Sequence, residues 1–111
     1  MRQQSKISIH NIDTIDLIPI NQIIHVHGEE NYSRFYIQNR EKSLLASRTL
    51  KYFEKQLEGF GFIRIHKSHL VNITFVDQVI TKDGGHIHLT TNELISFSRE
   101  KKSEILDWFN R

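Results

Sequence analysis

Apolar and polar residues alternate in several stretches of this chain, and only one internal stretch and the C-terminal end take a helical period instead. Lys6-Ile7-Ser8-Ile9-His10 alternates strictly, the pattern of a half-buried strand whose successive side chains leave opposite faces. Over 32–38, Tyr32, Arg34, Tyr36 and Gln38 share one face and Ser33, Phe35 and Ile37 the other. The choice of apolar residues agrees. The chain has 16 Ile and 7 Phe against 9 Leu, and β-branched and aromatic side chains suit a pleated, half-buried surface. Further strands are expected over 15–18, 23–27, 43–46, 62–66, 70–72, 75–81, 86–90 and 94–97. Pro19, the only proline, cannot donate to a ladder and marks an edge or a strand end. Gly28-Glu29-Glu30-Asn31, the polar run 39–42 and the Asp83-Gly84 pair read as turns.

The period changes at Leu50, Phe53 and Leu57, which fall on one face of a helix expected over 50–58. Thr49 is its expected N-cap, and Gly59 sits where helices end in the left-handed conformation. A second, C-terminal helix is expected with Ile105, Leu106 and Phe109 on one face and Ser98 as its cap. The chain is thus mainly β, with about nine or ten short strands, one short internal helix and a short C-terminal helix. Hairpin-length spacing makes the strands mostly antiparallel, since parallel pairs need repeated crossovers. A length of 111 residues suits one domain, drawn here over 7–111 behind a loose polar segment, 1–6.

Several classes of function fall away. There is no cysteine, hence no disulfide framework and no thiolate ligand or nucleophile. No apolar run approaches membrane-spanning length, and the first residues lack a signal-type apolar stretch; a cytoplasmic protein with no membrane partner is expected. Seven histidines include His25-x-His27 and His86-x-His88, each pair on one strand face and able to share a metal ion, although no third ligand accompanies them. Ser68 stands between His66 and His69, but neighbours on an extended segment point apart and no glycine-framed elbow surrounds the serine. No phosphate-cradling glycine loop is present. The chain is therefore expected not to be an enzyme and to need no cofactor or metal.

Charge is more informative. Net charge is only +2, yet residues 31–55 hold Arg34, Arg40, Lys42, Arg48, Lys51 and Lys55 against Glu41 and Glu54. Residues 63–72 add Arg64 and Lys67 with two histidines and no acid, and Arg99, Lys101 and Lys102 cluster near the end. On one face these would form a phosphate-binding footprint; separately they are solvated surfaces.

One segment separates those readings. Phe62-Ile63-Arg64-Ile65-His66-Lys67-Ser68-His69-Leu70-Val71-Asn72 resembles the signature of the LytTR DNA-binding domain. Ile23-Ile24-His25-Val26 with Glu30-Asn31-Tyr32, the helix from Thr49-Leu50 to Leu57, and Ile95-Ser96-Phe97-Ser98-Arg99 resemble that family's other landmarks, in order. The resemblance implies mostly antiparallel strands in small stacked sheets and sequence-specific binding of double-stranded DNA through loops. It also implies a transcription regulator, commonly the output domain of a two-component response regulator behind an N-terminal receiver domain. Binding to direct-repeat promoter sites as a dimer on DNA is implied as well. No receiver lies within these 111 residues, so the chain is either an excised output domain or a regulator acting alone.

The resemblance also assigns residues. Lys67 and Arg99 become base-edge contacts, since both can donate to guanine O6 and N7. Asn31 or Tyr32 reads in the first loop. Arg34, Arg48, Lys51, Arg64, His66, Ser68, His69 and Ser98 become backbone contacts. For Arg64 and His66 a second role stays open, as residues that hold the loop by hydrogen bonds. Glu29 and Glu30 either point away from the duplex or accept from cytosine N4. The competing readings are a metal-dependent enzyme built on the His-x-His pairs and a small β-rich protein-interaction module.

Overall fold

A computed structural model describes residues 5–110. Residues 1–4, most of the segment expected to be loose, and Arg111 lie outside the described residues. Ten strands form three antiparallel sheets. β1 (Lys6–His10) and β2 (Ile15–Pro19) make a two-stranded ribbon, with Pro19 as the last residue of β2. β3 (Ile23–Glu29), β4 (Tyr32–Ile37), β5 (Leu44–Ala46), β6 (Phe62–His66) and β7 (His69–Asn72) form a central sheet in the order β5-β4-β3-β7-β6. β8 (Val76–Ile80), β9 (His86–Leu89) and β10 (Leu94–Ser96) form the third. α1 (Leu50–Gln56) crosses between β5 and β6, and α2 (Lys102–Phe109) closes the chain.

The central sheet is the middle layer, and its alternation divides two cores. Val26, Phe35, Ile37 and Leu70 face the β1–β2 ribbon (Ile7, Ile9, Ile18) and α1 (Leu50, Phe53, Leu57). Phe35 meets Phe53 edge to face with ring centroids 4.7 Å apart, a favoured aromatic geometry. Ile63, Ile65 and Val71 face the other way, toward Ile87, Leu89, Ile95, Phe97 and Ile105 of the third sheet and α2. Ile23 and Ile24 enter opposite cores by ordinary alternation, and a bulge between Ile23 and His25 returns Val26 to the core that Ile23 faces, since an extra residue re-aims the side chains that follow it. Gly85 is required by packing as well as by its positive φ of 96°; a Cβ there would lie 2.1 Å from the Phe97 ring.

Several strand ends move by one residue, and four boundaries near the loops bear on the site. β3 runs through Gly28 and Glu29, because Gly28 pairs with Ser33 and its N–H donates to the Ser68 C=O at 2.8 Å; the turn is only Glu30-Asn31, with Glu30 at φ 54°. β7 begins one residue early, at His69. α1 ends at Gln56, with Leu57 as its C-cap, although Gly59 does take the left-handed conformation at φ 85°. Ser98 makes no side-chain cap bond: a 3-10 turn over Arg99–Lys101 intervenes, and the Ser98 C=O accepts from the Lys101 N–H at 3.0 Å. Thr49 does cap α1, its Oγ1 accepting from the Tyr52 N–H at 3.3 Å.

Candidate nucleic-acid interface

Three loops meet at one end of the central sheet. β3 and β4 turn there at Glu30-Asn31, β6 and β7 turn there at Lys67-Ser68, and α1 starts there. Their attachments are specific. The Gly28–Ser68 backbone bond ties the two turns together. The buried Ser33 hydroxyl donates to the Arg48 C=O at 2.8 Å and anchors the approach to α1. Gly28 leaves room for Leu50, whose Cβ would stand 3.0 Å from an added Cβ. On the other flank the Ser98 N–H donates to the Ile65 C=O at 2.9 Å, holding the Arg99–Lys101 turn against β6.

Arg64 shapes the second loop. Its Nε donates to the His66 C=O at 3.0 Å, one terminal nitrogen to Glu54 Oε1 at 2.7 Å and the other to the Lys67 C=O. All three guanidinium nitrogens are thus used within the fold, and α1 is pinned to the loop by a charge-assisted bond. His66 Nδ1 accepts from the Ser68 N–H at 3.1 Å, which leaves Nε2 as the protonated nitrogen of the neutral ring. Lys67 is exposed between these fixed points. A cleft of about 420 Å³ between loop and 3-10 turn is lined by Glu54, Arg64, His66, Lys67, Ser98, Glu100 and Lys101. Arg99 is exposed on the same turn. Glu54 and Lys101 were not singled out from sequence. Lys101 was legible in the Arg99–Lys102 basic cluster; the partnership of Glu54 with Arg64 spans ten residues and has no local signal.

The first loop presents Asn31 and a half-exposed Tyr32. Arg34, beside them, is held inward by Glu29 Oε2 at 2.8 Å and Ser43 Oγ at 3.0 Å, so Glu29 is neutralised within the domain while Glu30 stays exposed. Arg48 lies 4.7 Å above the Tyr52 ring, toward β1. Lys51 lies near Glu54, Lys55 and Arg64 on the α1 side. Arg40 and Lys42 occupy the β4–β5 turn at the opposite end of the sheet, so the basic run in the sequence does not become one patch.

Behind the loops the histidines form a stacked array. His27 and His69 stack with centroids 4.7 Å apart, His66 is 5.5 Å from His69, and His25 stacks on Tyr36 at 4.4 Å. The Nδ1 atoms of His25 and His69 are buried without a hydrogen-bond partner. Burial, then the neighbouring His69 and His27, lowers the His25 pKa to about 4; burial, then His27 and His66, lowers that of His69 to about 4. Both are neutral at pH 7, because desolvation and like charge oppose the imidazolium. His88 bonds Asp77 instead, at 2.5 Å. Among the described residues no group of three or more His, Cys, Asp or Glu is arranged to hold a metal ion. No helix among them is long and apolar enough to cross a membrane.

The model of the LytTr DNA-binding domain matches residues 13–110. The chain belongs to the LytTR DNA-binding domain family. A solved LytTr DNA-binding domain of a Bacillus cereus response regulator superimposes on 98% of this LytTR domain and 100% of its own chain, with TM-score 0.80 and 17% identity; that likeness is one of fold. Two curated relatives are the heme-containing CO-sensing transcriptional regulators RcoM 2 and RcoM 1 of Paraburkholderia xenovorans (strain LB400). Each is 23% identical over 82 residues. The match takes in 74% of this LytTR domain but 30% of each regulator. The three converging loops are therefore the features to weigh in a DNA-binding fold.

Proposed function

We propose that this domain is the DNA-reading part of a cytoplasmic transcription regulator, one that answers a two-component signal from a receiver domain. It presents the β3–β4 turn, the β6–β7 turn and the Arg99–Lys101 turn to the major groove of a direct-repeat promoter site, two copies per site. The carrying observation is the convergence of the β3–β4 and β6–β7 turns at one sheet end, tied by the Gly28–Ser68 backbone bond, with the Arg99–Lys101 turn held against β6 by the Ser98–Ile65 bond. Rigidly positioned loops can hold several base contacts in register at once.

Lys67 and Arg99 are the base readers in this proposal, because both are exposed cations on fastened segments; Asn31 or Tyr32 reads from the first turn. Lys51, Arg48, Ser68, His69 and Ser98 meet the backbone. His66 donates to a phosphate through Nε2–H, its Nδ1 being engaged by Ser68. Arg64 and Arg34 act by shaping the surface, since their guanidinium groups are occupied internally. The test is selection from a random duplex library followed by anisotropy across a salt series. Enrichment of a repeated half-site, with two domains bound per duplex and a steep salt slope, is the expected result. Recovery of no preferred sequence would overturn it.

A further inference from the structure

The N-terminal ribbon leaves one strand edge open beside a groove. β1 pairs with β2 alone. The Ile20 N–H donates to the Ser5 C=O and the Asn11 N–H to the Thr14 C=O, while Ile7 and Ile9 stand opposite Ile18 and Asp16. Bonded and non-bonded positions alternate along an antiparallel pair, so the odd-numbered residues turn their backbone groups toward β2. Those of Lys6, Ser8 and His10 turn the other way, and no hydrogen bond from the described residues reaches them there. Such an edge is a template for another strand.

α1 forms the far wall. Between it and β1 runs a groove in two stretches, of about 510 and 270 Å³. Phe53, buried at 2%, lines both, and Tyr52 and Phe60 rise at the rim, 39% and 46% exposed. Lys6, His10 and Arg48 line the same groove, and none of the described residues lining it is a carboxylate.

We propose that this groove takes an extended, acidic segment of a partner protein, added to β1 as a third strand. Main-chain bonds to Lys6, Ser8 and His10 would supply affinity. Alternate side chains of the guest would meet the aromatic wall of α1 or the cations, which is how strand addition divides affinity from specificity. Complementary charge names the occupant. A second copy pairing β1 against β1 would set two edges that carry Lys6 and no carboxylate against each other, and duplex DNA has no amide ladder to complete the edge. Arg48 alone is shared with the proposed DNA contacts.

The probe is acetyl-Glu-Val-Glu-Phe-Asp-Val-amide, titrated into the labelled full chain and followed by amide NMR, beside a control peptide with lysine at each acidic position. Expected are shifts confined to residues 5–10, 46–48, 52–56 and 60, slowed exchange of the Ser8 amide, and at least about tenfold weaker binding of the lysine peptide. Ser8→Pro removes one outward N–H while sparing the bonds to β2, and is expected to weaken the acidic peptide about tenfold with duplex binding unchanged. Tyr52→Ala leaves the backbone edge intact and is expected to weaken the peptide severalfold, so the test survives if Ser8→Pro does not fold. No binding at millimolar peptide, equal binding of the lysine peptide, shifts at another edge, or self-association through residues 6–10 would each overturn the proposal. Duplex binding is measured separately, so a failed groove and a failed DNA reading are distinguishable.

Discussion

Arg64 joins two elements through one side chain, which makes its chemistry hard to replace. A lysine keeps the charge but cannot reach the His66 and Lys67 carbonyls and Glu54 together. Arg64→Lys is expected to lower unfolding stability by about 1–3 kcal/mol, the cost of leaving partners unsatisfied, and to weaken all duplexes alike; urea titration and anisotropy check both. Lys67→Ala and Arg99→Ala are expected to act differently, costing about 1–3 kcal/mol on the selected site with little change on random duplex. Equal loss on both duplexes would move these cations to the phosphates. His66 was legible in the sequence as a loop residue, but its role depended on where Nδ1 pointed. With Nδ1 accepting from Ser68, the ring helps to hold the loop, so His66→Ala is expected to lower unfolding stability and weaken all duplexes alike, read by urea titration and anisotropy.

At the scale of elements, the interface depends on how closely α1 approaches β3. Gly28 and Leu50 meet with no room for another methyl group, and Leu50 is buried in the core. Gly28→Ala is expected to push the start of α1 outward and cost about 1 kcal/mol or more, as overpacking does. Lys51 would move with the helix, so duplex affinity should fall as well; calorimetry and anisotropy on the one variant test the coupling. The strand periodicity of 32–37 and the helical spacing of Leu50, Phe53 and Leu57 were visible locally, because each depends on which face is buried. The C-terminal helix start was not. Ser98 has the residue type of a cap, yet a 3-10 turn separates it from α2 and its side chain makes no cap bond, while its N–H ties that turn to Ile65, 33 positions away in sequence and adjacent only through the fold.

For the whole molecule, His25 sets an acid limit. Its pKa is lowered to about 4 in the folded state from about 6.5 when unfolded. The unfolded chain therefore binds the extra proton first. The stability is complete above pH 6.5 and is lost as pH falls toward 4, by about 3 kcal/mol for this residue. Half-buried His69 adds to the loss in the same direction. Groups facing the array are His27, His66, Tyr36 and Glu93. His25→Phe keeps a ring for Tyr36 to stack on and removes the proton site. It is expected to remove about 3 kcal/mol of the stability loss between pH 6.5 and 4 and to leave the share of His69, read by urea unfolding across that range. Salt provides the other global observable: each lost phosphate contact lowers the slope of log affinity against log salt by about one unit, so Lys51→Ala should do so on any duplex.

The amino-acid sequence by itself determined the strand-rich class, the two helices, the apolar face of most elements and the signature loop at 62–72. These follow from period, residue type and local turn chemistry, all of which act over a few positions. Tertiary structure decided which basic residues share a surface. Arg40 and Lys42 went to the far end of the sheet and Lys67 came to line one cleft with Ser98 and Lys101, because strand direction and sheet order, not spacing along the chain, fix which loops meet. It also decided which polar groups are spent inside the fold. Arg34 and Arg64 carry the charge of phosphate ligands, but packing brought Glu29 and Ser43 to the first and Glu54 and the loop carbonyls to the second, and a guanidinium that already holds such partners has less to offer a duplex.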